Sequence, residues 1–292
     1  MSTMSTMAMM TTTTTKISQR RPRIVLFGDS LTEFSFGGDF GGTTRFGWGS
    51  LLAHAFVRKA DVYNRGYSGY TTTMALETAL PTLFVDRTKS SINSRSQQEA
   101  PILFCTVFFG TNDAVLPSRP NSDGGRQHVP MCTYVENLRR IIDSIRKQTA
   151  ASIIILTPPP LDEVKWKNFW GVYPYYDRTN ATTRDYGLAA QRLVATMSIE
   201  VNTNDTTQKK KKTKQQYGGG GCYVLDTWEL LEGDQGPDVF GQYLNHDGVH
   251  FNEHGNTKLY EGLMDVLTTT PDLQHCVPRS LEDDGPAWDE LC

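Results

Sequence analysis

Short apolar runs closed by turn residues alternate along this chain with stretches in which apolar residues recur every three or four positions. The short runs are RIVLFG (23–28), DVYN (61–64), PILFCTVFFG (101–110), SIIILTP (152–158) and CYVLD (222–226). They are rich in β-branched and aromatic residues, and several are apolar throughout, as strands buried on both faces are. Helical periodicity appears between them, in WGSLLAHAFVRKA, TYVENLRRIIDSIRKQ, ATTRDYGLAAQRLVATM and HGNTKLYEGLMDVL. In the second of these, Tyr134, Leu138, Ile141, Ile142 and Ile145 make the stripe of a helix lying on a sheet. Strands alternating with helices predict a doubly wound α/β domain, its parallel sheet covered on both sides.

Three segments interrupt the alternation. Residues 86–100 and 202–221 lack apolar periodicity and read as polar insertions, which lengthen surface loops at little cost because loop closure grows only logarithmically with length. Residues 117–130, punctuated by Pro and Gly, form a loop after the third strand. The pattern therefore predicts a low-complexity leader over 1–21, one domain over 22–270 and an acidic tail over 271–292.

Composition narrows the classes. With 38% hydrophobic and 21% charged residues in 292, the chain is neither collagen-like nor wholly disordered. Its net charge of −3 is an average. Residues 1–28 carry four basic residues and no acid, and 209–214 carry five lysines, which leaves 20 basic against 32 acidic residues elsewhere. An acidic body of this kind does not suit a nucleic-acid surface, and the lysine run has no interleaved aromatics, so it reads as a solvated loop. Five scattered cysteines without a CxxC pair give neither a disulfide framework nor a zinc site. The longest apolar stretch, residues 101–109, is about half of a bilayer span, so no stable membrane insertion is expected. The leader lacks the apolar core of a secretory signal, which favours a cytoplasmic protein over one sent to an organelle by a transit peptide. The sequons at Asn180 and Asn204 carry little meaning without such a signal.

The chemistry concentrates at strand ends. GxSxG, Walker, HExxH and usable GxGxxG motifs are absent. FGDSLTE (27–33) places Ser30 where the first strand ends, the edge at which open α/β sheets bind ligands. The alternative is a simple strand-exit turn, which Gly, Asp and Ser all favour. The second strand runs into NRGYSGYTT, where Gly66 would let backbone approach a substrate and offer its NH. The third ends in FGTNDA, where Asn112 would supply an amide donor. In HDGVHFNEHG, Asp247 and His250 are three apart, a spacing that lets the carboxylate hold one ring nitrogen while the other faces a hydroxyl; His246 and His254 are rivals. Trp166, Phe169, Trp170, Tyr173, Tyr175 and Tyr176 form an aromatic cluster that either walls a pocket or packs a loop.

Taken in order, Gly-Asp-Ser-Leu, Gly66, Gly-Thr-Asn-Asp and Asp-x-x-His resemble the SGNH or GDSL hydrolase family. FGDSLTEFSF, QHVPMCTYVENLRRII, ILTPPPLDE, DRTN and the NHDGVHFNEHGN block are similar to its isoamyl acetate-hydrolysing esterase branch over roughly 22–268. The resemblance implies a flavodoxin-like three-layer α/β/α sandwich around a five-stranded parallel sheet. It also implies Ser30 as nucleophile, His250 and Asp247 as its partners, and Ser30, Gly66 and Asn112 as oxyanion donors. A serine esterase acting on small acetate-type esters through an acyl-enzyme follows, with no metal, no organic cofactor and no nucleic-acid partner; a homodimer is compatible. The same machinery also serves a lysophospholipase, an acyl-CoA thioesterase or a carbohydrate O-deacetylase, and a catalytically silent binding protein is the alternative of another class. Thr111, where relatives often carry Ala, and the two insertions depart from the branch.

Overall fold

A computed structural model describes residues 21–38, 44–84, 100–117, 127–169, 177–205 and 220–283, with side chains described in α6 only to residue 198. The leader up to residue 20, the lysine run, the end of the tail and aromatic residues 170–176 lie outside the described residues. The five apolar runs are five strands: β1 (Arg23–Gly28), β2 (Asp61–Gly66), β3 (Ile102–Phe108), β4 (Ser152–Leu156) and β5 (Cys222–Leu225). All pair in parallel, in the order β2-β1-β3-β4-β5. The chain therefore steps from β1 to one side and returns to the other, and the crevice opens between the carboxyl ends of β1 and β3.

Helices follow the strands: α1 (Ser30–Glu33), α2 (Trp48–Ala55), α3 (Thr72–Met74), α4 (Met131–Gln148), α5 (Glu163–Phe169), α6 (Asn180–Asp205), α7 (Thr227–Leu230), α8 (Pro237–Phe240) and α9 (Glu253–Thr269). They form two layers. On one face Val25, Phe27, Val107, Ile153 and Ile155 pack with Leu138, Ile141, Ile142 and Ile145 of α4 and with Ala190 and Leu193 of α6. On the other, Ile24, Leu26, Phe104, Phe108 and Ile154 pack with Trp48 and Leu52 of α2 and with Leu259, Leu263 and Leu267 of α9. This is the three-layer sandwich. Alternation breaks once, where the register of β1 against β3 shifts between Arg23 and Ile24 and leaves both Leu103 and Phe104 on the α2/α9 side, the effect of one extra residue in a strand.

Boundaries differ from the periodicity in three places. The helix expected over 48–60 stops at Ala55, and Arg58 takes a left-handed φ of 62° as the chain turns toward β2. Helix α6 runs to Asp205, into the start of the polar insertion expected from 202. Residues 271–277 stay on the body. Residues Pro271–Cys276 form a 3₁₀ turn that buries Leu273, Cys276 and Val277 in the α2/α9 core. Three apolar residues among polar ones give no helical period, which is why the pattern alone places the tail there.

Fully burying one Leu or Val stabilises by about 1.5–3 kcal/mol. A chain ending at residue 270 should therefore lose roughly 3–6 kcal/mol from Leu273 and Val277 alone, seen as a lower denaturation midpoint than that of a chain ending at 283. Equal midpoints would return the boundary to 270.

Candidate active site

Strand β1 passes into α1 across a single residue. Asp29 caps the helix, its Oδ1 accepting the Leu31 amide at 2.9 Å, while its own NH donates to Phe108 O of β3 at 3.2 Å. The changeover is clamped from the other side by Trp48, whose Nε1 donates to Leu31 O at 2.9 Å. Ser30 thus occupies the first helical position, where the backbone NH has no acceptor within the helix. The residue is 8% exposed, at the carboxyl end of β1.

The late HDGVHF segment delivers the histidine. Asp247 Oδ1 accepts the amides of Val249 (2.9 Å) and His250 (3.0 Å), which folds the turn. Its other oxygen stands 2.5 Å from His250 Nδ1, and His250 Nε2 stands 2.8 Å from Ser30 Oγ. The carboxylate only accepts, so Nδ1 carries the proton and Nε2 is left as acceptor for the hydroxyl. Burial raises the Asp247 carboxyl, but the hydrogen bond and charge of His250 and the two amides outweigh it and hold it below the ordinary range. The Phe34 ring meets the imidazole edge-on at 5.4 Å. The rival histidines are elsewhere: His246 meets Phe169 edge-on at 5.0 Å, and His254 lies in α9 beside an open cleft lined by Thr44, Arg45 and Asn245.

Asn112 leaves β3 into the same crevice. Its Nδ2 donates to Tyr70 O at 2.9 Å and its Oδ1 accepts Arg178 Nη2 at 3.0 Å. Next to it, the buried Asp113 accepts the Thr72 amide at 3.0 Å and the Thr72 hydroxyl at 2.5 Å, tying the β3 exit to the loop after β2.

The Gly66 amide, expected to face a substrate, already has an acceptor. It donates to Asn64 Oδ1 at 2.9 Å, and Asn64 Nδ2 donates to the carbonyls of Thr32 (3.0 Å) and Glu33 (2.9 Å) at the end of α1. What requires glycine at 66 is packing, since a Cβ there would stand 1.9 Å from the Glu33 nitrogen. Gly69, three residues on, has φ +79°, and its carbonyl accepts Gln127 Nε2 at 2.9 Å. Its amide donates no hydrogen bond among the described residues.

Arg178 and Gln127 stand in the DRTN and QHVPMCTYVENLRRII segments, but nothing in those segments gave either a role, and sequence reasoning missed both. The Arg178 guanidinium is buried, donating to Thr111 O as well as Asn112 and lying 4.8 Å over the Trp166 ring. Trp166, from the expected aromatic cluster, also donates to Asp177 Oδ1 at 2.7 Å, so it packs a loop at the site. Among the described residues there is no cluster of His, Cys, Asp and Glu suited to a metal, and no helix long and apolar enough to cross a membrane.

The GDSL-like lipase/acylhydrolase family profile matches residues 24–263, and the chain belongs to that family of carboxylic ester hydrolases. Its relatives are similarly consistent. A GDSL esterase/lipase of Arabidopsis thaliana is 41% identical over 254 residues, covering 85% of this chain and 86% of its own. An isoamyl acetate-hydrolyzing esterase 1 homolog of Mus musculus is 33% identical over 249 residues, 84% of this chain and 81% of its own. In fold, the chain resembles the lipase/acylhydrolase of Enterococcus faecalis, with a TM-score of 0.53 at 18% identity, covering 91% of this chain and all of that one.

Asp29 and Asp113 sit behind the crevice as buried carboxyls. Burial pushes Asp29 up to about 7, with Asp113 adding to it against the Leu31 amide and the Arg178 charge. Burial pushes Asp113 to about 6 against its bonds from Thr72. A carboxyl with a raised folded pKa binds its proton more tightly in the fold. Its stabilising contribution is complete below the unfolded value near 3.8 and is lost as pH rises through the folded one. Asp29→Asn keeps an acceptor for the cap and removes the ionisation. Its Tm relative to the parent should therefore be higher at pH 8 than at pH 5; an identical difference at both pH values would contradict the buried charge.

Proposed function

We propose that the chain is a serine esterase working through an acyl-enzyme, with Ser30 as nucleophile, His250 as general base and acid, and Asp247 holding the imidazole. The observation that carries this reading is the buried row Asp247–His250–Ser30, with contacts of 2.5 and 2.8 Å. Ser30 Oγ attacks the ester carbonyl as its proton passes to His250 Nε2, and Asp247 stabilises the imidazolium without taking the proton. The alkoxide leaves with that proton as the alcohol. A water then gives a proton to Nε2 and attacks the acyl carbonyl, and Ser30 Oγ takes the proton back as the acid departs.

The developing oxyanion is held by the Ser30 amide, by the second hydrogen of the Asn112 amide and by the amide of Gly69, which takes the place first given to Gly66. Gly69 lies beside Asn112, because Tyr70, which accepts from Asn112, follows it directly. Each such donor is typically worth about 2.7–4 kcal/mol in the transition state. The relatives named for isoamyl acetate support small acetate-type esters as substrates.

Ser30→Ala should lower kcat/KM on p-nitrophenyl acetate by at least about 10³-fold with an unchanged circular dichroism spectrum. Undiminished hydrolysis, or failure of the parent to react with a fluorophosphonate probe, would sink the assignment. Across p-nitrophenyl esters from acetate to dodecanoate, kcat/KM should be highest at the short end. A maximum at long chains would move the substrate to the lysophospholipase or thioesterase class.

A further inference from the structure

We propose that Arg178 is a positioning residue for the oxyanion donors, setting the Asn112 amide directly and the Gly69 segment through Gln127. This rests on the esterase reading above. Arg178 is 5% exposed, and its guanidinium gives one terminal nitrogen to Thr111 O and the other to Asn112 Oδ1 (3.0 Å) and Gln127 Oε1 (3.2 Å). Gln127 passes the constraint on, because its Nε2 donates to Gly69 O at 2.9 Å. One planar cation thus reaches two of the three segments that present donors, and the Trp166 ring lies against its face at 4.8 Å.

The chemistry of the partners makes the arrangement directional. An amide has two ends of nearly equal size, and only its surroundings decide which way it points. Arg178 can only donate and the Tyr70 carbonyl can only accept, so Asn112 must turn Oδ1 to the first and Nδ2 to the second. Without Arg178 the Oδ1 side is unconstrained, and the amide can rotate away from the crevice or present its acceptor to an oxyanion. The positive charge on Oδ1 also polarises the amide and strengthens its remaining N–H as a donor. A lysine in this place keeps the charge and loses the fork that spans Thr111 and Asn112.

The test is a cycle of Arg178→Gln, Asn112→Ala and the double variant on p-nitrophenyl acetate, with Tm measured for each. In Arg178→Gln, kcat should fall by about 10- to 100-fold with KM changed less than about threefold, as for loss of a donor made only in the transition state. In the Asn112→Ala background the same substitution should cost only the several-fold share carried through Gln127 to Gly69, clearly less than in the parent, since one of the two groups it positions is gone. Full multiplication of the two single losses would overturn the proposal and leave Arg178 a general structural residue. Arg178→Lys should remain near Arg178→Gln; recovery of parental kcat would also overturn it. If Arg178→Gln does not fold, Gln127→Ala cuts only the link to Gly69 and should lower kcat several-fold, and parental kcat there would remove that link.

An arm independent of turnover is the side-chain amide of Asn112 in an NMR spectrum, assigned by its loss in Asn112→Ala. Its two protons should be dispersed and slow to exchange in the parent and should merge with solvent-exposed amides in Arg178→Gln. Unchanged signals would refute the clamp. A parent that hydrolyses no ester but shows this collapse would refute the esterase reading and keep the clamp.

Discussion

The site depends on a change from strand to helix made across one buried carboxylate. Asp29 bonds the Leu31 amide with its side chain and the β3 carbonyl of Phe108 with its backbone, so α1 begins where β1 ends. That places Ser30 at the first position of a helix, its amide without an acceptor inside the helix and its hydroxyl against His250. Any looser connection would let the serine wander by more than the hydrogen bond to His250 tolerates. The carboxyl is costly to bury, and the surrounding charges show how the fold offsets it. Asp29, Asp113 and Asp247 all feel one another or the buried guanidinium of Arg178. The layer behind the crevice is a small network of carboxyls around one buried guanidinium.

Strand order then collects the remaining groups. With β1 and β3 side by side and their crossovers on opposite faces, the exits carrying Ser30 and Asn112 are neighbours. The loop after β2 reaches the same place because Asp113 holds Thr72 and Asn112 holds Tyr70. The fourth contribution, Asp247 and His250, comes from the approach to α9, which lies on the α2 face. Asn256 secures that approach, its Oδ1 accepting the Trp48 amide at 3.0 Å.

Most of the fold is legible in the residues, for a physical reason. A strand buried on both faces must be apolar throughout, so β1, β3 and β4 announce themselves, and the i, i+4, i+7 stripe of α4 does the same for the layer above. Ser30, Asn112, Asp247 and His250 stand out in the sequence because they sit in short polar motifs at strand ends and in one turn, and the structure brings Asp247, His250 and Ser30 into one hydrogen-bonded row. Gly66 misleads because the pattern shows a glycine but not whose acceptor its amide meets, and Asn64 decides that from two residues away. Arg178 and Gln127 are illegible because their meaning lies in partners 67, 66, 51 and 58 positions off, joined only when the loops close. The segment 271–277 hides for the opposite reason, with too few apolar residues to make a period and yet enough to seal a core.

The bond between Ser30 and His250 joins residues 220 positions apart. A ribosome adds about 5–20 residues per second, so Ser30 precedes His250 by roughly ten to forty seconds. Through that interval the Ser30 hydroxyl has no imidazole partner and is no more nucleophilic than any other in the nascent chain. On the proposed esterase reading, reactivity is thus withheld by chain order itself until the residues that bury Ser30 have nearly all been made.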